Sequence, residues 1–114
     1  MSENSRSAEN LVPRDLMNQV ARSFKMLSEP VRLDILNHLH VEKELNVQQI
    51  VETTGHSQAN VSKHLGLLSR EGLVARRKEG LYVFYRIADP MLADICQAVC
   101  SRLKRRAEAT YRSA

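Results

Sequence analysis

Residues 55–74 read GHSQANVSKHLGLLSREGLV, and the pattern of this stretch decides the architecture. Gly55 and His56 close one helical pattern, and Ser57 can cap the open N–H groups of the next. At 100° per residue, Val61, Leu65 and Leu68 fall on one side of a helix over residues 58–71. Ala59, Lys63, Gly66 and Arg70 fall on the opposite side, with Asn60 and Ser62 flanking them. Small and hydrogen-bonding residues on an outward face permit close approach to a groove, which base reading from the major groove of a duplex requires. An ordinary solvated helix face is the plainer reading of the same pattern. Upstream, Asn46 followed by Gln49 is a capping-box variant opening a helix with Val47, Ile50 and Val51 turned inward. Two helices joined by a tight glycine-containing turn are the helix-turn-helix signature.

Downstream, Gly72 ends the reading helix at a suitable C-terminal position. Residues 73–78 and 81–87 then read as two strands rich in Val, Tyr and Phe, joined by Glu79-Gly80. A glycine at the second loop position would supply the positive φ of a tight hairpin. Arg76, Arg77 and Lys78 sit just before the tip and Arg86 on the returning strand. A basic hairpin after a reading helix is a wing, placed to touch phosphate or minor groove beside the major-groove contact. Asp89-Pro90 opens a last helix, expected to reach about Ala107, with Leu92, Ile95, Cys96, Val99 and Leu103 as its apolar stripe.

On the N-terminal side, Leu16, Val20, Phe24 and Leu27 define a first helix over residues 15–27. Pro30 starts a second, lined by Val31, Ile35, Leu36 and Leu39, and residues 40–45 read as a charged connector. The expected fold is mainly α with a small β-hairpin (α+β), a winged helix-turn-helix of order ααααββα. Residues 1–13 are expected as a flexible arm, 14–107 as the DNA-binding and dimerisation domain, and 108–114 as a flexible tail. Nothing left in the chain covers the stripes of both the first and the last helix, so the simplest burial is against the same helices of a second copy in a two-fold homodimer.

The chain has 114 residues, enough for one domain. No apolar run approaches the roughly 18 residues of a membrane span, and the opening MSENSRSAEN lacks a signal peptide's apolar stretch, so a cytoplasmic location is expected. Two cysteines make no disulfide framework. Seventeen Lys and Arg against thirteen Asp and Glu give a net +4. Residues 63–86 alone carry +4 and residues 101–114 another +4, leaving −4 for everything else. Positive charge gathered in two places is a candidate footprint for a polyanion.

The order of elements, with MLSEPVRLDIL (residues 26–36), GHSQANVSKHLGLLSREGLV and RKEGLYVFYRI (residues 77–87), resembles the ArsR/SmtB family of bacterial repressors over about residues 16–103. The resemblance implies a homodimer on a double-stranded operator of inverted-repeat character, released by an inducer. It places the reading segment at residues 57–64 and the wing at residues 76–82. The expected DNA contacts are Ser57, Gln58, Ala59, Asn60, Ser62, Lys63, Arg70, Arg76, Arg77 and Lys78. A Cys-Val-Cys metalloid site of some family members is missing, because Leu45-Asn46-Val47-Gln48-Gln49 offers no thiolate. A second family site across the last helix keeps Asp89, but Met91, Arg102 and Arg105 stand at its other places and two cations repel a metal. No metal site or cofactor is therefore expected, and His38, His40, His56 and His64 are expected as surface or packing residues.

Cys96 and Cys100 remain, on one side of the last helix at i, i+4 spacing. A soft metal, a metalloid or an oxidant acting on such thiols would be an inducer; burial as small apolar residues is the alternative. The chain offers no nucleophile, base and orienting group in a pocket-forming context, so an enzyme is excluded. Three other readings stay open: a winged-helix protein-interaction module, a soft-metal buffer and a regulator with no small-molecule inducer.

Overall fold

A computed structural model describes residues 9–113, so residues 1–8 of the expected N-terminal arm lie outside the described residues. A 3-10 turn over Arg14–Leu16 leads into α1 (Met17–Met26). Next come α2 (Pro30–Glu42), β1 (Leu45–Asn46), α3 (Val47–Thr54), α4 (Gln58–Arg70), β2 (Val74–Glu79), β3 (Tyr82–Ile87) and α5 (Met91–Ser113). The molecule is a mainly helical winged helix-turn-helix with one small antiparallel sheet of order β1-β3-β2.

Local chemistry sets most boundaries. Pro30 occupies the first turn of α2 with Glu29 extended before it, and Lys43, at φ 74°, turns the chain out of the helix. Helix α2 thus takes up part of the expected connector. At the start of α3 the capping box is complete: the Asn46 side chain accepts from the Gln49 N–H, and the Gln49 side chain accepts from the Asn46 N–H, both at 2.8 Å. The Asp89 carboxylate accepts from the Met91 N–H at 3.0 Å where α5 begins.

Four further features differ from the sequence reading. Strand β1 was not anticipated; its two residues exist as a strand only because Leu45 pairs with Tyr85 and Asn46 with Phe84. Glu79 pairs with Tyr82, so the hairpin loop is Gly80-Leu81 and the glycine, at φ 60°, holds the first loop position rather than the second. Helix α1 begins two residues late because its first turn is 3-10. Helix α5 runs to Ser113 instead of ending near Ala107, so residues 108–113 are helical where a tail was expected.

The core lies between α2, α3, α4 and the sheet. Ile35, Leu39, Ile50, Val61, Leu65 and Leu68 are fully buried, joined by Leu36, Leu45, Leu73, Val74 and Tyr85. Helices α1 and α5 contribute only Met26 and Leu92 to the buried set among the described residues. Of their other apolar side chains Val20 and Ile95 are half-buried, whereas Phe24, Val99 and Leu103 stand open at 55%, 53% and 52% exposed. Full burial of such a side chain is worth about 1.5–3 kcal/mol.

Replacing Asn46 removes one arm of the capping box. Asn46→Ala should cost about 1 kcal/mol in denaturant unfolding, with an unchanged denaturant slope; an unchanged midpoint would show that the β1–β3 pairing alone holds this helix start.

Candidate nucleic-acid interface

Helix α4 enters from a tight turn. Gly55, at φ 77°, ends α3 by donating its N–H to the Val51 carbonyl, and the Ser57 hydroxyl accepts the Asn60 N–H at 3.1 Å. The turn is tied to α2 by one carboxylate: Asp34 receives His56 Nε2 at 3.2 Å on one oxygen and His38 Nε2 at 3.5 Å on the other. The inner side of α4 carries Val61, His64, Leu65 and Leu68, all buried. Ser57, Gln58, Ala59, Ser62, Lys63 and Arg70 are exposed, whereas Asn60 is half-buried at the edge of the face. Gly66 lies on the outer side with nothing within 4 Å of where a Cβ would sit, so its value to the surface is smallness and not relief of a clash.

The wing divides its cations by strand alternation. Arg76 and Lys78 share one face of β2, and Arg77 takes the other, opposite Phe84. Among the described residues no carboxylate lies within ion-pair distance of Lys63, Arg70, Arg76 or Lys78. Arg77 is committed. Its Nη2 and Nε donate to Glu44 at 2.6 and 2.9 Å, its Nη1 donates to Glu79 at 2.7 Å, and its guanidinium lies 4.8 Å from the centre of the Phe84 ring. In the single chain two carboxylates use the Arg77 donors, so the DNA contact expected of Arg77 would compete with them. The Arg77 hydrogen bonds hold the Glu44 carboxyl below the usual carboxylate range, with the nearby charge of Arg86 acting in the same sense. Sequence reading missed Glu44, which stands in what was taken as a connector; its partner is 33 residues away and no local pattern marks it.

The thiols are both free, Cys96 half-buried and Cys100 exposed in the single chain. Among the described residues no group of three or more His, Cys, Asp or Glu side chains is arranged to hold a metal ion. No helix among them is long and apolar enough to cross a membrane.

The geometry so far is a capped helix with a small polar outer face beside a basic hairpin. A MarR-family model matches residues 29–81, which span α2 through the wing tip. An uncharacterised HTH-type transcriptional regulator of Methanocaldococcus jannaschii is 35% identical over 81 residues, covering 71% of this chain and 91% of that one. The chain belongs to the winged helix-turn-helix transcriptional regulators. A biofilm growth-associated repressor of Xylella fastidiosa is 35% identical over 82 residues, covering 72% of this chain and 71% of the repressor. Among solved structures, a homodimeric winged helix-turn-helix DNA-binding domain from Mycobacterium bovis, described as "a possible ArsR-family transcriptional regulator", superposes with a TM-score of 0.73. It is 35% identical, covering 83% of this chain and 87% of that one. These relatives are transcriptional regulators and not enzymes. Of the ArsR/SmtB resemblance, these matches carry the winged helix-turn-helix regulator and not the family itself.

The Arg77 clamp has a titration signature. Because the native Glu44 value is lowered, its share of stability is present above the ordinary carboxylate value and drains as pH falls through the lowered one. Following the Glu44 carboxyl by NMR should show titration below the ordinary range in the parent and a return toward it in Arg77→Ala; identical curves would mean the clamp does not persist in solution.

Proposed function

We propose that this chain is a homodimeric, sequence-specific DNA-binding repressor of ArsR type. The observation that carries the reading is the outward face of α4, held by its buried inner side and followed in the chain by a wing whose Arg76 and Lys78 have no ion-pair partner among the described residues. Gln58, Asn60, Ser62 and Lys63 are the groove contacts, with Ser57 and Ala59 allowing close approach. Arg70, Arg76 and Lys78 meet phosphate. Arg77 braces the wing through Glu44 and Glu79, so it reaches phosphate only by exchanging these carboxylates. A relative named as a repressor and a homodimeric neighbour of the same fold support the proposal.

The open stripes of α1 and α5 are the dimer seam. Covering Phe24, Val99 and Leu103 is favourable and costs no backbone hydrogen bonds, because both helices satisfy their own. A two-fold axis between these helices would set the reading helices about 34–36 Å apart, one turn of duplex. The partner is then a double-stranded operator of inverted-repeat character.

The inducer would act at that seam. Cys96 lies in the stripe and Cys100 at its margin, so a soft metal, a metalloid or an oxidant joining these thiols would change the angle between subunits and with it the spacing of the reading helices. If the thiols only pack, operator affinity is indifferent to such agents.

Three outcomes test the reading. Sedimentation at micromolar concentration should give a dimer, and Phe24→Glu or Leu103→Glu should give monomer; a parent that sediments as monomer contradicts the seam. Gln58→Ala or Asn60→Ala should cost about 1–3 kcal/mol on a selected duplex and little on an unrelated one. By contrast, Arg76→Ala or Lys78→Ala should weaken all duplexes and lower the salt slope by about 1, and Arg77→Ala should lower that slope less. Equal behaviour of the two classes would refute the division between helix and wing. Arsenite, a soft divalent metal or a persulfide donor should weaken operator binding of the parent but not of the double variant Cys96→Ser, Cys100→Ser; no effect on the parent assigns the cysteines to packing.

A further inference from the structure

Behind Lys63, inside the molecule, sits a cation with no carboxylate. Arg32 of α2 is 8% exposed and His64 of α4 is 7% exposed. Arg32 Nε donates to the Met26 carbonyl at 2.8 Å and Nη2 to the Lys25 carbonyl at 3.2 Å, while Nη1 lies 3.1 Å from His64 Nδ1. Among the described residues no carboxylate forms an ion pair with Arg32. Two of its acceptors are the last carbonyls of α1, where the helix end carries partial negative charge. The third is a ring nitrogen on the inner side of the reading helix.

Arginine only donates and stays charged in proteins. His64 Nδ1 must therefore be the acceptor, which makes His64 neutral with its proton on Nε2. One guanidinium thus links the end of α1, the body of α2 and the inner side of α4. We propose that Arg32 and His64 are positioning residues that lock α1 to the reading helix, and that uptake of a proton by His64 opens the lock and disengages sequence reading. The proposal rests on the reading of α1 as part of the dimer seam and of α4 as the groove helix.

Protonation would turn Nδ1 into a donor pointed at a guanidinium, so one hydrogen bond is lost and two cations meet in a buried space. The charged groups around His64 are Arg32 on α2, Glu29 at the start of α2, Lys63 on α4 itself and His56 in the turn before it. Burial pushes the imidazole below its ordinary value, Arg32 does so next, Glu29 acts the other way, and Lys63 and His56 add to the lowering. The lock is therefore intact above about pH 6.5, the ordinary histidine value, and is lost as pH falls through the lowered native value. Plain electrostatics has the opposite sign, since acidification makes a protein more positive and strengthens phosphate contacts.

The test uses the full chain at fixed ionic strength with two duplexes of equal length, one selected from a random pool at about pH 7.5 and one unrelated. Between about pH 8 and about pH 5, the ratio of selected to unrelated affinity should fall about tenfold for the parent, an ordinary allosteric coupling. It should stay level for His64→Asn, whose Oδ1 replaces Nδ1 as acceptor and does not titrate. A level parent ratio, or the two proteins falling in parallel, overturns the lock. If no duplex is ever selected, the functional reading has failed and the lock is still decided by nitrogen NMR of the parent. The expected result is a His64 proton on Nε2 at neutral pH, with the Lys25 and Met26 carbonyl environment shifting as His64 titrates below its ordinary value. A proton on Nδ1, or an α1 end indifferent to the titration, overturns it.

Discussion

Helix α4 has one rotation about its axis that puts Val61, Leu65 and Leu68 into the space lined by Ile35, Leu39 and Ile50, and the molecule depends on that rotation. These side chains are fully buried, and removing one to alanine size costs about 2–5 kcal/mol, a large part of the roughly 5–15 kcal/mol that holds a domain together. With the inner side fixed, Ala59, Ser62, Lys63 and Arg70 have to face solvent. The orientation of the reading face is thus set by the core, and Ser57 and Gly55 fix where the helix starts. His64 belongs to the same inner side and adds a directional contact to the apolar ones, tying the rotation of α4 to the end of α1.

Charge is distributed less simply than its count suggests. Of the six basic residues between positions 63 and 86, Arg77 is neutralised by Glu44 and Glu79. Further back, Arg32 is spent on carbonyls and an imidazole. Within that stretch the cations left for a polyanion are Lys63 and Arg70 on α4, Arg76 and Lys78 on one face of the wing, and Arg86 on the returning strand. The Glu44 clamp, one residue before β1, also joins the wing to the segment leading into α3, so the hairpin is braced from the body of the helix-turn-helix rather than hanging free.

Features governed by neighbours in the chain were legible in the sequence. The Asn46–Gln49 box, the Ser57 cap, the Pro30 start and the burial of Val61, Leu65 and Leu68 follow from residue type and period. Features governed by distant partners were not. Strand β1 is too short to show a period and exists through β3, the hairpin register follows from cross-strand pairing, and Arg77 meets Glu44 only once the sheet is built. The length of α5 was misjudged for a different reason. Its apolar stripe thins after Leu103, yet residues 104–109 read KRRAEA, strong helix formers that continue the helix without a core to pack on. The packing alternative for His64 was open from sequence, but its acceptor role needed Arg32 in space.

Guanine N7 methylation interference on a bound duplex tests the central claim most directly, because N7 lies in the major groove. Two interfering patches in successive major grooves on one face of the duplex, about 10–10.5 base pairs apart, are the result expected of two α4 helices held in a two-fold dimer. A single patch, or interference absent while the minor groove alone is protected, would contradict it.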